Sequence, residues 1–86
     1  MKISINYDSP VPLYAQIEEQ LRVIIQQPAY KNGKRLPNEI DLAKQLGVSR
    51  NTLRQAINRL VFEGLLTRKK GIGTIAEKTT VSSKAK

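Results

Sequence analysis

Two arginines, Arg50 and Arg54, stand one helical turn apart in a stretch whose other polar members are Asn51, Thr52, Gln55 and Asn58. A guanidinium is a rigid fork of donors suited to paired acceptors, and a side-chain amide offers a donor beside an acceptor. The chemistry open to such a set is recognition, of phosphates and of nucleobase edges. Catalysis has far less to work with. The chain contains no cysteine and no histidine, which removes thiolate nucleophiles, thiolate zinc sites, disulfides and imidazole bases. Its acids are adjacent, as Glu18 and Glu19, or near a helix start, as Glu39 and Asp41, where capping and the helix dipole account for them. The sequence therefore reads as a non-enzyme, with no catalytic residue, no metal ligands and no cofactor.

Charge supports the same chemistry. The formal net charge is +8 over 86 residues. From Met1 to Ala43 five basic residues meet five acidic ones, whereas from Lys44 to Lys78 eight basic residues face only Glu63 and Glu77, a local balance of +6. A segment polarised in this way attracts a polyanion by releasing condensed counterions, which makes nucleic acid the leading partner. A solvated basic face with no partner is the plainer alternative. No signal-peptide pattern is present, and the longest aliphatic run, Val23-Ile24-Ile25, is far too short to span a bilayer. A cytoplasmic protein without a membrane partner is the expectation.

The elements that must position these side chains follow from apolar spacing. Leu13, Tyr14, Ile17, Leu21, Ile24 and Ile25 form one stripe of a helix expected from Val11 to Gln27, stopped by Pro28. Ala29 to Arg35, with Asn32-Gly33 at its centre, has turn composition, and Leu36-Pro37 leads extended backbone into Asn38. Asn38 with Asp41 resembles a capping box opening a helix from Glu39 to Leu46, whose Leu42, Ala43 and Leu46 face inward; Gly47 closes it in the left-handed region. Ser49 is a second N-cap, and Leu53, Ala56, Ile57, Leu60 and Val61 repeat at helical spacing up to Gly64. The opposite side of this helix carries Asn51, Arg54, Gln55 and Asn58, with Arg50 and Thr52 in its first turn. Leu65 to Lys69 and Thr74 to Glu77 have strand composition around the turn Lys70-Gly71-Ile72-Gly73, a short hairpin with a basic tip.

Three spacings identify the middle pair of helices as a helix-turn-helix. Ala43 is small where the helices cross, Gly47 supplies the positive φ of the tight turn, and Leu53 fills the angle between them. The fold class is thus mainly α with a small β-hairpin, a winged helix of three helices and a two- to three-stranded antiparallel wing. The expected organisation is an N-terminal arm over 1–10, the domain over 11–79 with its helix-turn-helix at 39–58 and its wing at 65–77, and a linker over 80–86.

Several runs are similar to a known family. Leu36-Pro37-Asn38-Glu39, Leu42-Ala43 and Leu46 through Ala56 resemble the DNA-binding domain of GntR-type transcription regulators. So do Leu60 through Glu63-Gly64-Leu65-Leu66 and Gly71-Ile72-Gly73-Thr74, while Pro12-Leu13-Tyr14-Ala15-Gln16-Ile17 is similar to the HutC-like and YtrA-like branches. The resemblance covers about residues 11–79. It implies a repressor-like or activator-like transcription regulator, repressor being the favoured reading, that binds inverted-repeat double-stranded operator DNA as a homodimer. Dimerisation and release by a small-molecule effector would belong to a C-terminal domain beyond the linker, and the present chain alone is expected to be a monomer.

Residue by residue, the resemblance places Arg50 and Arg54 on guanine edges, and Ser49 and Thr52 on phosphates beside a helix N-terminus. Ser49 reads equally as a plain N-cap. Asn51 falls where the family varies and is the candidate determinant of operator sequence. Lys70 and Gly71 match wing-tip positions at the minor groove, Arg68 and Lys69 are expected at phosphates, and Glu39 completes the DNA-binding set. Gln55 and Asn58 read as solvated. Ile40 and Ile72 depart from the family, which favours polar or basic residues there; Ile40 then offers no phosphate contact, and Ile72 reads as an exposed turn side chain, with a wedge into the minor groove as the alternative.

Two other readings compete. A winged helix can serve as a protein-protein interaction module, but such a face is expected to be apolar or mixed in charge. A nucleotide-binding loop at Gly71-Ile72-Gly73 lacks the helix that should follow it.

Overall fold

The computed structural model describes residues 2–77. The element order is α1 (Leu13–Ile24), α2 (Pro28–Lys31), α3 (Glu39–Leu46), α4 (Arg50–Phe62), β1 (Leu66–Lys69) and β2 (Gly73–Ala76). The expected linker at 80–86 and the last positions of the expected domain, 78–79, lie outside the described residues.

The apolar stripes found by spacing meet in one core. Ile17, Leu21 and Ile25 from the first helix pack with Leu53, Ala56, Ile57 and Leu60 of α4, and Leu42 and Ala43 of α3 close one side. Leu66 and Ala76 of the hairpin, with Leu36 and Tyr30, close the other. Each large aliphatic side chain buried here contributes roughly 1.5–3 kcal/mol relative to exposure, which is how a chain this short holds four helices together.

One expectation is corrected. Pro28 does not lead into a turn; it is the first residue of the one-turn helix α2, while α1 ends earlier than expected, at Ile24 with Ile25 as its cap. Proline is suited to the first helical position because its fixed φ is already helical and its missing N–H would have had no partner there. Tyr30, 5% exposed, holds this turn to the core. The remainder of the segment is the expected turn and extended strand of chain. Leu36 donates its N–H to the Thr74 carbonyl at 2.9 Å, so it adds one backbone bond to the edge of a two-stranded sheet.

The hairpin is antiparallel, with Leu66 opposite Ala76 and Lys69 opposite Gly73. The Ile72 N–H closes the tip on the Lys69 carbonyl at 3.0 Å, and Gly71 takes the positive φ, 81°, that the tip requires.

The first residues are not a free arm. Gln20 accepts from the Ser4 N–H and donates to the Ser4 carbonyl, and Gln16 accepts from the Asn6 N–H and donates to the Asn6 carbonyl. Two glutamines one turn apart on α1 therefore act as an edge that pairs extended backbone, while Ile3 and Ile5 pack against the core. Across the other side of α1, Glu18 is 6% exposed and accepts from Arg22 and from Arg59 Nε, each at 2.7 Å. Arg22 also bonds Glu63. That hydrogen bond holds the Glu63 carboxyl below the usual carboxylate range, helped by the charges of Arg22 and Arg59, and raises the Arg22 guanidinium above its ordinary value. The bundle is thus tied by charge as well as by its core.

Candidate nucleic-acid interface

The helix-turn-helix has the geometry its spacing requires. Asn38 Oδ1 accepts from the Asp41 N–H at 2.8 Å, and its Nδ2 donates to Asp41 Oδ2 at 2.9 Å, a capping box in which the side-chain amide of Asn38 takes the reciprocal bond. Gly47 ends α3 with φ 71°, in the left-handed region. Ser49 Oγ then accepts from the Thr52 N–H at 3.0 Å and donates to Thr52 Oγ1 at 2.8 Å. Both hydroxyls at the start of α4 are therefore engaged with each other, and the first N–H groups of the helix have no intrahelical partner.

From that start α4 presents Arg50, Asn51, Arg54, Gln55 and Asn58 to solvent, all exposed. Arg50 makes no ion pair with any described residue. Arg54 does: its Nη1 lies 3.4 Å from Glu39 Oε1. The same carboxylate takes Arg68 from β1, with Nε at 3.1 Å and Nη2 at 3.0 Å from Oε2. Glu39, in the first turn of α3, is thus a shared anchor for one arginine of α4 and one of the hairpin. Its position beside the positive end of a helix dipole stabilises the charge that both arginines use.

Arg68 is less available than its basic character suggests. Besides Glu39, it donates through Nη1 to Asn58 Oδ1, so it bridges α3, α4 and β1 instead of standing free for a phosphate. Asn58 is correspondingly a partner of Arg68, not merely solvated. Lys69 and Lys70 are exposed, as is Gly71, and neither lysine has a carboxylate partner among the described residues. Arg50 lines a cleft together with Ile72 and Gly73 of the hairpin tip, and Arg54 shares Glu39 with Arg68 of β1. Ile40 and Ile72, 49% and 50% exposed, are both on the wall of that cleft.

Sequence reading missed two contributors. Tyr7, in the first ten residues, donates its hydroxyl to the Gly47 carbonyl at 2.9 Å, on the turn just before α4. Arg35 donates Nη1 to the Ile72 carbonyl at 3.1 Å and so touches the hairpin tip from the connection before α3. Neither has a signal in local spacing, because both act across more than 30 positions of sequence.

The sequence model of the gntR family, bacterial regulatory proteins, matches residues 13–75. The chain belongs to the gntR family. Among its relatives, the HTH-type transcriptional repressor NagR of Bacillus subtilis (strain 168) is 47% identical over 76 residues, which are 88% of this chain and 31% of that protein. The histidine utilization repressor of Pseudomonas aeruginosa is 42% identical over 65 residues, 76% of this chain and 26% of that protein. The chain thus spans less than a third of the length of these curated relatives.

Solved gntR-type structures share the fold. YtrA from Sulfolobus acidocaldarius, a GntR-family transcription factor, superposes with a TM-score of 0.81 at 33% identity, covering 91% of this chain and 82% of that one. The DNA-binding domain of AraR, solved in complex with operator ORX1, superposes with a TM-score of 0.74 at 34% identity, covering 88% of this chain and 98% of that one. The architecture is the winged helix-turn-helix of gntR regulators, a family of transcription regulators and not a class of enzymes. No helix among the described residues is long and apolar enough to cross a membrane, and no group of His, Cys, Asp or Glu among them is placed to hold a metal ion.

Proposed function

We propose that this gntR domain reads double-stranded operator DNA, with α4 in the major groove and the hairpin tip along the neighbouring minor groove. The observation that carries the reading is the exposed set Arg50, Asn51 and Arg54 on α4, joined to the basic hairpin by the carboxylate of Glu39, which takes both Arg54 and Arg68, in a fold shared with a domain solved on its operator. Arg50 and Arg54 take guanine edges through their guanidinium forks, Asn51 sets sequence preference, and Ser49 and Thr52 support a phosphate at the start of α4. Lys69 and Lys70 supply charge to the backbone, and the positive-φ Gly71 allows close approach. Glu39 acts on DNA indirectly, by aiming Arg54 and Arg68.

Two copies related by a dyad would read the halves of an inverted repeat, since two-fold protein symmetry is mirrored in operator symmetry. Dimerisation and a small-molecule response would belong to a C-terminal domain; the output would be repression, which the names of its relatives state for them.

The test is selection from a random duplex pool with the wild-type chain and, in parallel, with an Arg50→Ala, Arg54→Ala double variant. Enrichment of a half-site by the wild type that the variant fails to enrich is the expected result. Equal enrichment by both would sink readout through α4. A protein-contact role has one observation in its favour, Phe62 at 92% exposure. It lies at the opposite end of α4 from Arg50, so it does not compete for the cationic face.

A further inference from the structure

A cleft of about 770 Å³ runs between the hairpin tip and the first residues of α3 and α4. Its walls include Arg35, Ile40, Asp41, Arg50, Ile72 and Gly73. Two facts decide its chemistry. First, its carboxylates are already engaged: Glu39, also on the wall, takes Arg54 and Arg68, and Asp41 takes the Asn38 amide at 2.9 Å. Its two guanidinium groups are not, since neither Arg35 nor Arg50 pairs with a carboxylate among the described residues. Second, Ile40 from α3 and Ile72 from the tip stand about half exposed, at 49% and 50%, on facing elements. Unneutralised cations beside exposed hydrocarbon suit a ligand that alternates the two, and a sugar-phosphate strand is such a ribbon, with anionic phosphates between apolar deoxyribose faces.

Arg35 is placed to grip it. One of its nitrogens is spent on the Ile72 carbonyl at 3.1 Å, and its stem passes close to Gly73, where an added Cβ would lie 3.7 Å from Arg35 Cδ. A guanidinium carries five N–H donors, so most of the fork remains for an anion after that bond. The bond joins Arg35 to the tip, and Arg35 is itself part of the cleft wall. With α4 in the major groove and the tip at the minor groove, the strand separating the two grooves has to pass between them, which is where the cleft lies.

We propose that Arg35 is a DNA-backbone contact that grips one phosphate of this intervening strand, with Ile40 and Ile72 against the flanking sugars. The proposal deepens the DNA-binding reading above and rests on it.

The test measures the dependence of log binding constant on log salt for the 86-residue chain, using a mixed-sequence 24-base-pair duplex. The wild type is compared with Arg35→Met, which keeps the stem and removes the charge, and Arg35→Lys, which restores the charge. Thermal melting of each variant checks folding. One phosphate contact adds about 0.9 to the magnitude of the slope. Arg35→Met is expected to lower it by about that amount, and Arg35→Lys to keep it. An unchanged slope in Arg35→Met overturns the proposal while leaving the DNA reading intact. A fall of two or more phosphate equivalents also overturns it, because that would mean the hairpin and its lysines had been lost together. A flat wild-type slope removes the DNA reading itself.

Discussion

The hydroxyl of Tyr7 donates to the carbonyl of Gly47 at 2.9 Å, tying the start of the chain to the turn inside the helix-turn-helix. That carbonyl belongs to the C-terminal cap of α3, where backbone acceptors have no helical partner. Tyr7→Phe removes the bond and leaves the ring, so it should cost about 0.5–1.5 kcal/mol. Urea unfolding measures this; a value indistinguishable from wild type would show that water replaces the hydroxyl without loss.

Direct readout by α4 separates two kinds of basic residue. Arg54→Ala should weaken binding to a selected half-site by about 1–3 kcal/mol and leave random duplex little affected, whereas Lys69→Ala should weaken both alike. Fluorescence anisotropy on the two duplexes gives the comparison. Equal losses for Arg54→Ala on both would place that residue on the backbone.

Glu39 holds Arg54 and Arg68 but also brings negative charge to the surface that faces a polyanion. Glu39→Gln should therefore raise affinity for random duplex several-fold, as expected on removing a like charge, and narrow the gap between specific and random DNA because Arg54 loses its anchor. Titrations at fixed salt check both halves. A fall in random-duplex affinity would mean that the anchor matters more than the charge.

Acid should loosen the tie between α1 and α4. The Glu63 carboxyl is held below its usual range, first by the hydrogen bond from Arg22, so its contribution to stability is fully present above the unfolded carboxylate value, about 4.3, and is lost as pH falls through the lower folded value. Both partners are about one-third exposed, so the contribution is at most about 1 kcal/mol. Urea unfolding between pH 3 and pH 7 should show a shallower acid decline for Glu63→Gln than for wild type; parallel curves would assign the decline to other carboxylates.

Local order by itself determined most of the helical part of this protein. The stripe on α1, the caps Asn38 and Ser49, the left-handed Gly47 and the spacing from Ala43 to Leu53 are rules that act over one or two turns, so α3 could be placed to the residue and α4 at its start, Arg50, although α4 ends at Phe62, short of the expected Gly64. The basic residues of α4 and the hairpin were legible for the same reason, since spacing puts them on one face or at one tip. Helix α2 was hidden because Pro28 serves equally as the end of one helix and the start of the next, and burial of Tyr30 decides which.

Only the tertiary structure decided what the polar side chains do. Whether Arg68 is free for a phosphate depends on Glu39 and Asn58, 29 and 10 positions away, and whether the first residues form an arm depends on Gln16 and Gln20 presenting their amides along α1. Arg35 meets Ile72 only because the hairpin folds back over the connection before α3. A long polar side chain has many partners within reach of its charge or amide, and chain topology, which brings distant segments together, selects among them.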